Sequence, residues 1–303
     1  MTMTKLEVDI LSVIVYADIF SYPMTLRELV FWTPQKSPVS ARVVLRVCKK
    51  LVFQKKITYN PPFYFIPGHE RYVLTKIKRL SACVVKWQQA YLIARILRII
   101  PTIDLVGVTG GLSMNNAMTQ DDIDIIIIAH DQTLWVTRFL ATLIVECTSR
   151  RRRPNDREYR NSICLNMFMT NSSLCVPKIE HGWYTSHEVL QMVPLWERNG
   201  TYKKFMRANA WVKQWFPAAY TEKKHRKVSQ MTGQNNHIKP YWVFEQPLKA
   251  LQLWYMRKRR TKEVISDTLI RFHPVDARVK IRKEFIARLR HLKVPLDKTL
   301  HRI

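Results

Sequence analysis

Apolar residues recur at helical spacing through LEVDILSVIVYADIF, residues 6–20, and Tyr22-Pro23 ends that run, because a proline disfavours the helical region for the residue before it. Thr25 opens TLRELVFW with Glu28 three positions on, the capping box of a short second helix. The spacing predicts a third helix from about Ser40 to Phe53, with Arg42, Arg46, Lys49 and Lys50 on or near one face. Two β-like runs follow, Lys56–Tyr59 and Phe63–Ile66, joined by Asn60-Pro61-Pro62. Residues 69–100 read as one long helix, basic on one side through Arg71, Lys76, Lys78, Arg79 and Lys86, and broken at Pro101.

The pattern then changes period. Asp104–Val108 is a short apolar strand, Ile123–Ala129 a second and Ser162–Phe168 a third, with a helix from about Gln132 to Ser149 and a basic loop, Arg150–Arg153, before the third. Strand, helix, strand, helix, strand makes an α/β unit. Beyond residue 181 the chain reads as helical and rich in tryptophan and cations, with a polar loop at 221–240 and helices near 241–265 and 276–293. There is no internal repeat. Three helices and a small hairpin at the N-terminus are the order of a winged helix-turn-helix. Either its basic third helix meets nucleic acid, or the unit serves packing or dimerisation.

The net charge of +27 biases partners towards polyanions, nucleic acid first. It is uneven: +11 over residues 1–100, −2 over 101–200 and +18 over 201–303. An acidic-leaning middle between basic flanks fits a carboxylate metal site whose flanks hold an anionic substrate; solvated helices rich in Lys and Arg would give the same tally. Five widely spaced cysteines show no zinc or redox spacing and read as reduced thiols. Glu7 and Asp9 stand where a signal peptide would be apolar, and no apolar run reaches the roughly 20 residues of a spanning helix. The expectation is a soluble cytoplasmic protein with no membrane insertion.

The candidate chemistry lies in VTGGLSMNNAMTQDDIDIIIIA, residues 108–129. Two of the chain's seven glycines, Gly110 and Gly111, precede three aspartates in four positions and a run of isoleucines. Residues i and i+2 of a strand share a face, so Asp122 and Asp124 emerge together. Two unpaired carboxylates that close raise each other's pKa, and a divalent cation such as Mg²⁺ (or Mn²⁺) relieves that repulsion. Gly110 and Gly111 let the backbone approach a ligand, and their amides suit phosphate, with Ser113 and Asn115 as further contacts. The alternative is that Asp121 and Asp122 cap a helix and Asp124 is a strand-edge charge.

An apolar strand, Gly-Gly, a ten-residue spacer and Asp-apolar-Asp, supplied here as Leu105–Gly111 and Asp122-Ile123-Asp124, resembles the DNA polymerase β-like nucleotidyltransferase superfamily over about residues 100–170. The wider layout, including LQMVPLWERNGTYKKFMRANAW and FHPVD, resembles uncharacterised bacterial nucleotidyltransferase-domain proteins with an N-terminal winged helix. The resemblance implies an α+β chain: winged helix-turn-helix (1–68), connecting helix (69–100), nucleotidyltransferase α/β core with a mixed sheet (101–180) and basic helical region (181–303). It implies that Asp122 and Asp124 hold the metal, that Gly110, Gly111, Ser113 and Asn115 bind a nucleoside triphosphate such as ATP, and that a nucleotide is transferred to an acceptor. RNA is favoured over DNA, and a protein acceptor is the lesser alternative. The family's third carboxylate is replaced by Asn166, which cannot act as a base; Asp156, Glu158 or Glu180 would have to substitute, or the chain is a weakened enzyme that still senses nucleotide and binds nucleic acid. Arg150–Arg153 reads equally as a triphosphate or RNA contact and as an exposed loop. Trp211 and Trp215 fit the core better than a base-stacking surface. His273-Pro-Val-Asp276 is a turn before it is a metal pair, and His181 and His187 lack ligand spacing.

Overall fold

The first helix begins where its sequence can satisfy its own orphan amides. Thr4 Oγ1 accepts from the Glu7 amide and Glu7 reaches back to the Thr4 amide, which starts α1 (Lys5–Ile19). Thr25 and Glu28 repeat the device, pairing Met24–Thr25 (β1) with the start of α2 (Leu26–Trp32). Next come α3 (Ala41–Phe53), β2 (Thr58–Asn60), β3 (Phe63–Phe65) and the long α4 (Arg71–Leu97). The three short strands form an antiparallel sheet in the order β1-β3-β2. Its first strand is too short to leave a period in the sequence.

The computed structural model describes residues 3–35, 37–153, 156–229, 239–257, 264–271 and 277–295. After α4 the chain runs β4 (Ile103–Val108), α5 (Gly110–Ser113), β5 (Ile123–Ala129), α6 (Leu134–Thr148), β6 (Ile163–Thr170), α7 (Trp183–Gln191), β7 (Val193–Glu197), α8 (Thr201–Ala208), α9 (Pro217–Lys224), α10 (Glu245–Met256), β8 (Val264–Ile265), β9 (Leu269–Arg271) and α11 (Ala277–His291). The architecture is α+β with a mixed six-stranded sheet, ordered β7-β4-β5-β6-β9-β8. Only β5 and β6 run parallel.

The sheet is wider than the sequence pattern implies. Residues 193–197, within a stretch that reads as helical, form the edge strand β7, where Pro194 is tolerated. Val264–Ile265 closes the opposite edge, inside a predicted helix that in fact stops at Met256. Both strands are short, and β7 pairs with the distant β4, so local periodicity does not reveal them. Among the described residues no helix is long and apolar enough to cross a membrane, and the cysteines are free.

Alternation along β5 sorts the core. Ile123, Ile125, Ile127 and Ala129 face a cluster with α4 and α6, while Ile126 and Ile128 face one shared by α1, α7, α8, α9 and α11. On the second side the His187 ring stacks between Tyr16, at 4.3 Å, and Trp32, at 4.4 Å. Trp211 and Trp215 pack against the same cluster, and His181 stacks on Trp211 at 3.7 Å. His273 and Asp276 lie outside the described residues.

One helix cap is supplied from a distance. Thr133, at the N-cap of α6, makes no side-chain capping bond. Instead the buried Glu245 carboxylate, at the start of α10, accepts from the Trp135 amide (2.9 Å) and the Val136 amide (3.0 Å). A negative group there also opposes the helix dipole. Glu245→Ala is expected to cost on the order of 2 kcal/mol in urea denaturation, because two buried N–H groups lose their partner. Glu245→Gln, which can still accept one bond, should recover part of it.

Candidate functional site

The site forms where β4 ends and β5 begins. The Thr109 amide donates to the Asp124 carbonyl at 3.0 Å, and the chain turns at once into α5. Gly110 turns with φ +64°, and a Cβ there would lie 2.5 Å from Asp124 Oδ2. Glycine is required at 110 twice over, for the left-handed backbone and for the close approach of the carboxylate. Gly111 differs: a Cβ would lie 3.4 Å from Ala117 Cα, an ordinary contact. Gly110→Ala is therefore expected to cost about 1–2 kcal/mol and swing the Asp124 side chain aside. Gly111→Ala should stay within about 0.5 kcal/mol of wild type by the same denaturation measurement.

The loop between glycines and aspartates is held by its surroundings. Ser113 Oγ donates to the Gly110 carbonyl at 2.8 Å, closing the α5 turn. Asn115 takes φ +52° and its side-chain oxygen accepts from Trp87 Nε1 at 2.7 Å. Ser113 and Asn115 thus both shape the loop. Asp121 Oδ2 accepts from the Met118 amide at 2.7 Å, closing a turn before β5 and capping no helix. The buried Lys86 of α4 donates to the carbonyls of Thr119 and Asp121 and to Asn161 Oδ1, fixing the approach to β5.

Asp122 and Asp124 come together as the strand geometry demands. They and Cys164 offer ligand atoms that all lie within 4.8 Å of one another. Burial, then the Asp122 charge, pushes the Asp124 carboxyl up to about 7, against a hydrogen bond from the Cys164 thiol that pulls it down. Burial, then Asp124 and Asp122, pushes the Cys164 thiol far up, so it remains a neutral donor.

The residue of β6 level with Asp124 is Cys164, where the sequence pattern pointed to Asn166. Asn166 lies two residues further along, at a bulge: Leu165 pairs with Ile125 and Met167 with Ile126, so the buried Asn166 takes the skipped position. Two of the three carboxylates considered as substitutes, Glu180 and Asp156, are engaged elsewhere. Glu180 accepts two bonds from Arg271, at 2.8 and 3.0 Å, and Asp156 accepts from the Arg153 amide at 2.8 Å. Glu158 offers its backbone carbonyl to Arg150.

Two more groups complete the surroundings: Glu188, which sequence reasoning missed, and Arg152, which it placed only within the run Arg150–Arg153. Glu188 of α7 is near enough for its charge to raise Asp124, and burial pushes its own carboxyl up to about 7. Arg152 donates to Asp122 and lies 4.7 Å over the Tyr159 ring. Its neighbours Arg151 and Arg153 both pair with Glu146, at 2.7 and 3.1 Å. Arg152 and a cation would therefore share or compete for the Asp122 carboxylate. No signal in the local pattern marks Glu188 or singles out Arg152 from its three arginine neighbours. No family model, curated protein or solved structure matches the chain.

Proposed function

We propose that the chain is a metal-dependent nucleotidyltransferase that moves a nucleoside monophosphate from a nucleoside triphosphate to an acceptor hydroxyl, with RNA the favoured acceptor. The observation that carries this reading is the carboxylate pair held against Gly110, with Asp124 raised to about 7 by burial and Asp122. Such a pair is costly when ionised and gains from a divalent cation. The residues fit Mg²⁺ or Mn²⁺: both carboxylates are hard oxygen ligands, and the soft thiol keeps its proton on Asp124. Bound there, the ion would offset charge building on the transferred phosphorus.

The chain's own residues supply the rest. Gly110 leaves room for the Asp124 carboxylate to lie against the turn, and Ser113 keeps the turn closed. Glu188, at about 7, has the proton affinity wanted in a base that takes the acceptor's proton as pyrophosphate leaves. Arg152, freed from Asp122, would follow the anionic triphosphate. The order of α1, α2 and α3 with the β1-β3-β2 sheet supports a winged-helix reading of the N-terminal unit, with exposed Arg42, Arg46 and Lys49 along α3 for a polyanion. Lys50 is taken by Glu7.

A second reading is favoured by Cys164 and Arg152. With a thiol where a third carboxylate would stand, and an arginine on Asp122, the site would bind nucleotide without turning it over. Incubation of wild type and Asp122→Ala/Asp124→Ala with each α-labelled nucleoside triphosphate, Mg²⁺ or Mn²⁺ and cell extract separates the two. Label appearing in RNA or another acceptor only with wild type supports transfer. Saturable nucleotide binding with no labelled product under any condition rejects it for the sensing role.

A further inference from the structure

A cavity lies towards the other end of the sheet from the aspartate pair. β7 ends at Glu197, which pairs with Leu105, whereas Val108, at the aspartate end of β4, pairs with Val193. Three strand residues, about 10 Å, separate the two levels. Gly200 turns the chain in the left-handed region, φ +66°, into α8. That helix buries Thr201, Tyr202, Phe205 and Met206 and leaves Lys203 and Arg207, one turn apart, outward. The segment after α9 returns alongside, stitched to the strand by the Glu197 amide donating to the Ser229 carbonyl at 3.0 Å. Between them is a cavity of about 590 Å³, within the usual range of small-ligand sites.

Its lining is chemically one-sided. Lys203, Arg207, Lys224, Arg226 and Lys227 all line it, and none makes an ion pair among the described residues. The one acid in the wall, Glu197, accepts from the Tyr202 amide at 2.5 Å, at the start of α8. Tyr202 also lines the cavity, and its buried hydroxyl has no hydrogen-bond partner among the described residues. Five like charges around one concavity repel one another unless an anion joins them. Arginine forks and lysine ammonium groups together suit clustered phosphate oxygens.

We propose that this cavity is an anion site, separate from the aspartate pair, for a ligand carrying two or more adjacent phosphates. The proposal does not rest on the nucleotidyltransferase reading. Inorganic polyphosphate, a free nucleoside triphosphate and the 5′-triphosphate end of an RNA share the required chemistry.

The test is calorimetric titration of the full chain with tripolyphosphate in EDTA, so that no metal-dependent binding at Asp122 and Asp124 contributes. Saturable one-site binding is expected. Arg207→Gln/Arg226→Gln should weaken it by at least about tenfold, while Arg71→Gln/Lys78→Gln, an equal charge change on α4, should leave it within about twofold. Circular dichroism and the thermal midpoint check that each variant folds, and the single variants repeat the comparison if the double does not. Displacement of tripolyphosphate by ATP identifies a free nucleotide as the source. Displacement by 5′-triphosphate RNA, but not by 5′-hydroxyl RNA of the same sequence, identifies an RNA end. Absence of saturable binding, or equal loss in both pairs, overturns the proposal, since the cations would then act only through net charge.

Discussion

Asp124→Asn is expected to yield a protein that is more stable at pH 8 and inactive as a transferase. The Asp124 carboxyl ionises near 3.8 when unfolded but is raised to about 7 in the fold by burial and by Asp122. Between those values the native state holds a proton that the unfolded chain has released, so stability falls as pH rises from about 4 to about 7. Above pH 7 the full cost of holding the charge is present, on the order of 2–4 kcal/mol, and the amide removes it. Gly110 still leaves room for the isosteric side chain. If Asp124 is a metal ligand, the same change should lower transfer by about a thousandfold or more. Urea denaturation at pH 5 and pH 8, beside a transfer assay, reads both effects. A variant less stable than wild type at pH 8 would show that the carboxylate is held by favourable contacts. That would remove the electrostatic case for a cation.

The two effects belong together. A group that weakens the fold where it stands is kept for what it does, and Asp124 is such a group in a strand otherwise filled by isoleucine and alanine. Asp122 illustrates the other half. It has a protein partner in Arg152, so removing it alone would leave an arginine without its carboxylate. Asp122→Ala therefore confuses lost ligation with a redirected Arg152, and the Asp124 variant is the cleaner probe.

Legibility followed sequence distance. β5 was readable to the residue, because glycine, aspartate and isoleucine change period within one short stretch. The Thr25–Glu28 box was readable because both partners lie within one turn. Cys164 was not: its place beside Asp124 is set by the parallel register of β5 against β6, which leaves no local pattern. Glu188 reaches the site from α7, and Glu245 caps α6 from 110 residues away, so neither leaves a local pattern. The extra strands β7, β8 and β9 were hidden by shortness and by a region whose tryptophans and cations suit helices as well.

His187 offers the second large effect. Its ring is buried in the stack of Tyr16 and Trp32, with Phe216 at 4.6 Å, and Nδ1 lies 2.8 Å from the Trp183 carbonyl. Burial lowers its pKa to about 4, from 6.5 in an unfolded chain, against a smaller upward pull from that carbonyl. The native imidazole therefore stays neutral while the unfolded one takes up a proton. Stability supplied by the neutral ring is complete above pH 6.5 and lost as pH falls towards 4, on the order of 3 kcal/mol in all. Glu188 and Asp124 titrate in the opposite sense over part of that range, so the wild-type profile alone does not isolate the histidine. The difference from His187→Phe does. Phenylalanine keeps a flat ring in the stack and should cost only about 1 kcal/mol at pH 8, for the lost hydrogen bond. Urea midpoints of both proteins from pH 8 to pH 4 should converge and then cross as wild type loses its histidine contribution. Parallel curves would mean that the imidazole takes a proton inside the fold, and that the stack of α1, α2 and α7 is open to water.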